Sequence, residues 1–306
     1  MTPYVPTIRL SLTQEGPRGR HEFATQLGTA FEQTGFAILV EHNISPELLA
    51  TAYSQAQQVF SYPDEVLTKY ETPSNGRQTG FTSKGVERAK NSQVPDLKRF
   101  LHIRRTLPPG HPRLADPAYV PNLWPDAEAP QFRPVMNQLF AELDTTSNEV
   151  GLALDHHLGY PSGTIPGMTA NGEALLRVLH YMPLTADSSG LRAEQHEDIN
   201  LYTLLPAATG SGLEVMNLIG EWVPVNEQPG SIVVNVGDML QMLTKGRLRS
   251  TTHRVVNPID PALRAQHRYS MPFFVHPRGE VVLDEAAGFT AGEFLQERLA
   301  EIGLKA

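Results

Sequence analysis

Apolar positions in this chain change their period near its middle. From Arg18 to Thr34, Phe23, Leu27 and Phe31 recur every four residues, which marks one face of a helix, and Gly35 ends it. Phe36-Ala-Ile-Leu-Val40 follows as a β-rich run, and Val5 to Leu12 reads as a short strand before the helix. Ser45-Pro46 has the form of an N-cap followed by proline at the first helical position, opening a helix towards Phe60. Pro73 to Pro134 is rich in Pro, Gly and polar residues and reads as irregular, and Phe132 to about Leu158 is again helical in pattern.

After Pro161 short β-branched and aliphatic runs come in quick succession. They are Leu175 to Tyr181, Ile199 to Leu205, Leu213 to Leu218, Trp222 to Val225, Ile232 to Val236, Met239 to Leu243 and Tyr269 to Val275, with Gly and Pro between them. Many short strands at this spacing predict a sandwich, jelly roll or barrel. Thr290-Ala-Gly-Glu293 is a capping box for a last helix, Ala291 to about Ile302. Its Phe294, Leu295, Leu299 and Ile302 leave an apolar stripe that needs a surface to cover.

Composition narrows the chemistry. The chain has 306 residues, 40% of them hydrophobic, enough for a sizeable core. No cysteine is present, which removes disulfides, zinc–thiolate sites and thiol nucleophiles and suits a reducing cytoplasm. The formal charge of −8 argues against nucleic acid as a partner. No apolar run of about 18 residues spans a membrane, and Met1 to Leu12 lacks the layout of a signal peptide. Polar chemistry therefore falls to carboxylates, arginines and the 11 histidines.

His196-Glu-Asp198 sets an imidazole and a carboxylate two residues apart. On an extended segment both point to one face, about 7 Å apart along the strand, close enough to share an ion. Such a pair alone is a weak signal. Its setting strengthens it, because it opens a β-rich run and a second imidazole, His253, stands in Thr251-Thr-His-Arg-Val255, another strand-like segment. Two His and one carboxylate with open positions form the facial triad of non-haem iron(II) oxygenases. The other histidines show no such pattern: His267 and His276 flank a strand as solvated residues, and His180 stays ambiguous.

Four ordered segments then resemble one family. His196-Glu-Asp-Ile-Asn-Leu-Tyr-Thr-Leu-Leu205, Val233-Val-Asn-Val-Gly-Asp-Met-Leu240, Ser250-Thr-Thr-His-Arg-Val255 and Arg268-Tyr-Ser-Met-Pro-Phe-Phe274 are similar to those of the isopenicillin N synthase-like Fe(II)/2-oxoglutarate-dependent dioxygenases. Gly35-Phe36, Glu41 to Ser45 and Asp96-Leu-Lys98 extend the likeness to the N-terminal half, with bacterial members as the nearest subgroup.

The resemblance implies a mainly β fold with α: a double-stranded β-helix (jelly-roll) core, an N-terminal helical layer and a C-terminal helix at the active-site mouth. It implies one oxygenase domain over 1–306, comprising an N-terminal α/β region (1–160), a jelly-roll catalytic core (161–276) and a C-terminal cap (277–306). It assigns Fe(II) to His196, Asp198 and His253, and the distal carboxylate of 2-oxoglutarate to Arg268 and Ser270, with Tyr181 beside them. Thr203 and Leu205 match pocket-lining positions, although simple alternation from Asp198 faces them the other way unless a turn intervenes. Arg264, in the loop before Arg268, competes for the clamp role.

The implied activity is oxidation, by hydroxylation, of a small molecule with O2, releasing succinate and CO2, by a monomer in the cytoplasm. Two alternatives stay open from sequence. An iron oxidase of isopenicillin N synthase type would spend Arg268 and Ser270 on its own substrate's carboxylate. A non-enzymatic jelly-roll binding protein would close its metal with a fourth ligand. Lys98, Arg99 and the Gly80 to Lys84 loop are candidate walls for the substrate.

Overall fold

A computed structural model describes residues 4–73, 77–87, 96–115, 119–185 and 188–301. In chain order the elements are β1 (Thr7–Arg9), α1 (Gly16–Gln33), β2 (Phe36–Val40), α2 (Pro46–Phe60), α3 (Asp64–Leu67), β3 (Gly80–Thr82), β4 (Lys98–Arg104), α4 (Phe132–Leu158) and α5 (Thr164–Thr169). There follow β5 (Leu175–Tyr181), β6 (Ala193–His196), β7 (Tyr202–Pro206), β8 (Leu213–Met216), β9 (Trp222–Pro224), β10 (Ile232–Val236), α6 (Asp238–Leu243) and β11 (His253–Val255). The chain closes with α7 (Pro261–Arg264), β12 (Arg268–Ser270), β13 (Phe273–Val275), β14 (Val282–Asp284), β15 (Phe289–Thr290) and α8 (Ala291–Glu301).

Two facing sheets form the core. The larger runs β1-β2-β10-β7-β13-β5-β4-β3, with β12 also on β5, and the smaller runs β6-β11-β8-β9. The strands β1 to β4 of the N-terminal half are therefore hydrogen-bonded into the same sheet as the later strands.

Alternation along the strands decides which face each side chain meets. Phe36 and Ile38 of β2, Val233 of β10 and Leu205 of β7 meet Ala193, Leu213, Val215 and Val255 of the smaller sheet. Their neighbours Ala37, Leu39, Ile232, Val234 and Leu204 face the other way, into the cluster containing Phe23, Leu27 and Phe31 of α1 and Leu139 and Leu143 of α4. With both faces covered, β2 reads as a continuous apolar run and β10 as one interrupted only by Asn235, instead of alternating.

The capping signals act as their residue types require. Ser45 Oγ accepts the Leu48 N–H at 3.1 Å, and Thr290 and Glu293 exchange the reciprocal bonds of a capping box. At Gly35, with φ +72°, a Cβ would collide with the Arg249 carbonyl and Thr251, so glycine lets α1 turn into β2 against the segment that leads to His253.

Several elements differ from the sequence reading. Met239 to Leu243 is helical, not a strand. Its residues lack β-branching, and the N–H groups of Asp238 and Met239 donate to the carbonyls of Asp198 and Asn200, which fixes a helix start there. The run Tyr269 to Val275 breaks at Met271-Pro272 into β12 and β13, which lie on different stretches of β5. Ile199 to Leu205 becomes a strand only from Tyr202, and Val5 to Leu12 only over Thr7–Arg9 before a 3-10 turn. Ile302, the last member of the predicted stripe, lies outside the described residues. Among the described residues no helix is long and apolar enough to cross a membrane.

Candidate metal centre and its cavities

His196 closes β6 and His253 opens β11, and the two are Cα partners across that antiparallel pair. Their rings lie 4.4 Å apart, centroid to centroid. The chain bends after Asp198, and this carboxylate comes to 3.8 Å (Oδ1) from His253 Nε2. One donor atom from each of His196, Asp198 and His253 lies within 4.8 Å of the others.

Each of the three side chains is also held at its other end. His196 Nδ1 lies 2.7 Å from the Glu194 carbonyl, and His253 Nδ1 lies 3.1 Å from the Thr251 carbonyl. Both bonds put the proton on Nδ1 and leave the Nε2 lone pairs free. Asp198 Oδ2 accepts from Thr203 Oγ1 at 2.6 Å and from Asn235 Nδ2 at 2.8 Å, so Oδ1 is the oxygen left to bind an ion. Burial, followed by the neighbouring His253, pushes His196 down to about 4, so the ring is neutral at ordinary pH. Burial would raise Asp198, but His253, His196 and its two hydrogen-bond donors outweigh it and hold the carboxyl below its usual value.

A narrow cleft of about 70 Å³ runs from this cluster between the sheets. Tyr181, Thr203, Leu205, Arg268 and Ser270 line it, so the predicted residues of both groups converge. Thr203 and Leu205 reach it because the bend after Asp198 resets the alternation. Arg268 is 2% exposed, with Nε donating to the Gly210 carbonyl at 2.8 Å and Nη1 buried without a partner. The Tyr181 ring lies 5.1 Å from its guanidinium carbon. Arg264 sits on α7, bonded to the Thr185 carbonyl, and does not line the cleft.

A second cavity of about 450 Å³ also reaches the cluster, and His196, Asp198, Lys98, Arg177 and Phe274 line both spaces. Leu295, Arg298 and Leu299 of α8 form part of its wall. Lys98 is buried and pairs with Asp96 at 2.7 Å and Glu87 at 2.9 Å, and Arg177 pairs with Glu87 at 3.1 Å. Burial would raise Glu87, but Arg177 and Lys98 hold it far below the usual carboxylate range.

Two of the candidate walls lie elsewhere. Arg99 points away, to the Phe60 carbonyl, Asp64 and His180, because successive strand residues face opposite sides. Gly80–Thr82 is the buried edge strand β3 on β4, and neither it nor Ser83 or Lys84 lines the cavity. His276, read as solvated, instead lines the large cavity, and burial pushes it down to about 4.

Asn235 stands in the sequence only as part of the Val233 to Leu240 segment, with nothing beside it that marks its bond to Asp198. The available signal was one amide in the otherwise apolar strand Ile232–Val236. Arg177, Glu87 and Arg298 gave no comparable signal.

The chain is similar to known proteins over almost its whole length. Residues 5–127 match the family described as non-haem dioxygenase in morphine synthesis N-terminal, and residues 173–277 match the 2OG-Fe(II) oxygenase superfamily. A 2OG-Fe(II) oxygenase family protein from Caulobacter crescentus is 36% identical, with TM-score 0.86 over 98% of this chain and 100% of that one. Neurospora crassa T7H, solved in complex with alpha-KG, is 25% identical with TM-score 0.82, covering 97% of this chain and 96% of its own. A 2-oxoglutarate-dependent dioxygenase from Dothideomycetidae sp. (strain 11243) is 29% identical over 302 residues, 92% of this chain and 88% of that protein.

Proposed function

Since the chain belongs to the 2OG-Fe(II) oxygenase family and is an Fe(II)- and 2-oxoglutarate-dependent dioxygenase, we propose that His196, Asp198 and His253 hold the iron and that Arg268 and Ser270 hold the distal carboxylate of 2-oxoglutarate. The observation that carries the second assignment is the buried Arg268 guanidinium, whose Nη1 has no partner although it lines the cleft that reaches the His-Asp-His cluster. A buried cation without an anion is costly, and a carboxylate arriving from the cleft removes that cost. The donor set suits the metal: two imidazoles and one carboxylate take a divalent iron and leave coordination positions for other ligands.

Bound iron supplies activation of O2 coupled to oxidative decarboxylation of 2-oxoglutarate to succinate and CO2. The chain's own residues prepare that chemistry. The Glu194 and Thr251 carbonyls fix the tautomers of the two imidazoles, and Thr203 and Asn235 fix which Asp198 oxygen is offered. Tyr181 and Leu205 narrow the cleft and exclude water beside Arg268. The substrate, a small molecule that is hydroxylated, occupies the cavity under α8, with Leu295, Leu299 and Phe274 against its apolar parts and Lys98 and Arg177 in the polar wall. This reading takes residues 1–306 as one oxygenase domain working as a monomer in the cytoplasm, without nucleic acid or membrane partners.

The test is titration of the anaerobic Fe(II) protein with 2-oxoglutarate, following the weak metal-to-ligand absorption of the chelate, together with a screen of small molecules for succinate release. A chelate band that Arg268→Ala weakens strongly is the expected result. No band and no succinate with any substrate would overturn the assignment and leave Arg268 for a substrate's own carboxylate.

A further inference from the structure

Arg268 is not the only guanidinium buried near the cosubstrate cleft. Arg192, directly before Ala193 at the start of β6, is also 2% exposed. Its backbone N–H donates to Asn257 Oδ1 at 3.1 Å, and Asn257 Nδ2 donates to the Gly190 carbonyl at 2.8 Å, which pins the segment. Its Nη2 reaches the Gln266 carbonyl at 3.4 Å, on the stretch entering β12, and its Nε is buried without a partner. Among the described residues neither Arg192 nor Arg268 has a carboxylate in ion-pair contact.

The two charges act on each other. Burial, followed by repulsion from Arg268, lowers Arg192 to about 10, so it stays charged at neutral pH, while Tyr181 interacts with both arginines. Arg192 itself does not line the cleft; its neighbour Ala193 does. Glu227 acts on Arg268 electrostatically without touching it, so among the described residues both buried cations lack a contacting carboxylate, and a dianion entering the cleft relieves both.

We propose that Arg192 is a positioning residue for the cosubstrate: a second buried positive charge behind Arg268 that makes the cleft prefer 2-oxo dicarboxylates to 2-oxo monocarboxylates. The proposal rests on the reading that Arg268 receives the distal carboxylate. Arg268 supplies the direct fork to that group. Arg192 supplies the field behind it and, through the Gln266 carbonyl, steadies the entry to β12.

The experiment compares two probes on the anaerobic Fe(II) protein: 2-oxoglutarate, and 2-oxovalerate, in which a methyl group replaces the distal carboxylate. Binding is read from the chelate absorption. Arg192→Met is expected to weaken 2-oxoglutarate by roughly tenfold, the size of one charge acting through partly screened protein, and to leave 2-oxovalerate unchanged. Arg192→Lys restores the charge and should return 2-oxoglutarate to within about threefold of wild type. Thermal unfolding of the metal-free protein gives a second readout. Succinate should raise the melting temperature of wild type more than that of Arg192→Met, whereas butyrate should not separate them.

Equal weakening of both 2-oxo acids in Arg192→Met, or no weakening of either, overturns the proposal. If Arg192→Met does not fold, Arg192→Gln is measured in its place with the same expectations. Arg268→Met runs in parallel and separates the two readings. If it binds 2-oxoglutarate like wild type, the Arg268 assignment falls. If it loses the dicarboxylate preference while Arg192→Met keeps it, only the role of Arg192 falls.

Discussion

Thr203 and Asn235 stand opposite each other across β7 and β10, and both donate to the same oxygen of Asp198. The pair leaves Oδ1 facing His253 and denies the carboxylate any rotation that would exchange its oxygens. Asn200 Nδ2 bonds Thr203 Oγ1 in turn at 3.0 Å, so the hydroxyl is itself oriented, with its proton towards Asp198. On the proposed assignment, metal affinity depends on residues that never touch the ion.

Thr203→Val keeps shape and removes the hydroxyl, and Asn235→Leu removes the amide. Each should weaken Fe(II) binding by roughly 10- to 100-fold while the fold persists, as loss of an outer partner of a metal ligand commonly does. Anaerobic Fe(II) titration measures it, and excess Fe(II) should recover much of the activity. His253→Ala removes a ligand outright and should abolish turnover at any iron concentration. Full activity in that variant would show that the cluster is not the iron site.

Arg268 and Arg264 separate cleanly by position. Losing the guanidinium of Arg268 should raise the apparent 2-oxoglutarate constant by about 30-fold to several-thousand-fold, the equivalent of roughly 2–5 kcal/mol for a desolvated charge pair. Arg268→Lys keeps the charge without the fork and should fall between wild type and Arg268→Ala. Arg264→Ala should change little, since that side chain reaches the Thr185 carbonyl on the surface. Chelate titrations on the three variants give the order, and an effect of Arg264→Ala as large as that of Arg268→Ala would reverse the assignment.

Helix α8 contributes Leu295, Arg298 and Leu299 to the wall of the large cavity, while Phe294 enters the core. Ending the chain after Gly288 should therefore lower kcat/KM for the substrate by at least about tenfold through the open, wetter cavity. The Fe(II) and 2-oxoglutarate constants should move much less, because no described residue of α8 lines the cleft that holds His253 and Arg268. Equal turnover by the shortened and full chains would make α8 irrelevant to catalysis.

Stability should decline on mild acidification before the carboxylates titrate. His180 is held down to about 3 by burial, Arg99 and His267, and His276 to about 4 by burial and Arg104. In the unfolded chain both take protons near 6.5, so as pH falls below that value the unfolded state gains protons that the folded state refuses. Each such histidine then costs up to about 1.4 kcal/mol per pH unit, until its folded value is reached. Unfolding curves of metal-free protein from pH 7.5 to 5.5 measure the slope. His180→Gln, away from the metal, should be less stable at pH 7.5 yet show a flatter decline, and parallel lines for the two proteins would refute the cause.

Local signals in the sequence carried much of this structure. The fourfold spacing in α1, the Ser45-Pro46 start of α2, the long α4, the strands β5 and β10 and the Thr290-Glu293 capping box are set by residues within one or two turns of each other, so a linear reading reaches them. The His-x-Asp pair and the later strand-borne His are legible for the same reason, since side chains two apart on extended backbone share a face. Met239 to Leu243 failed as a strand because its conformation is decided by the Asp198 and Asn200 carbonyls, which lie far away in sequence and capture its first N–H groups. Thr203 and Leu205 could be matched to a pocket but not oriented, since the turn at Asn200 that resets their alternation is closed by Gly237 N–H on the Leu201 carbonyl. The partnership of Thr203 with Asn235, the burial of Arg192 without a counter-charge and the Lys98-Glu87-Arg177 wall exist only once the sheets pack. Those contacts depend on strand order and register, which no short stretch of the chain encodes, because each is fixed by the shape of the core that all the strands bury together.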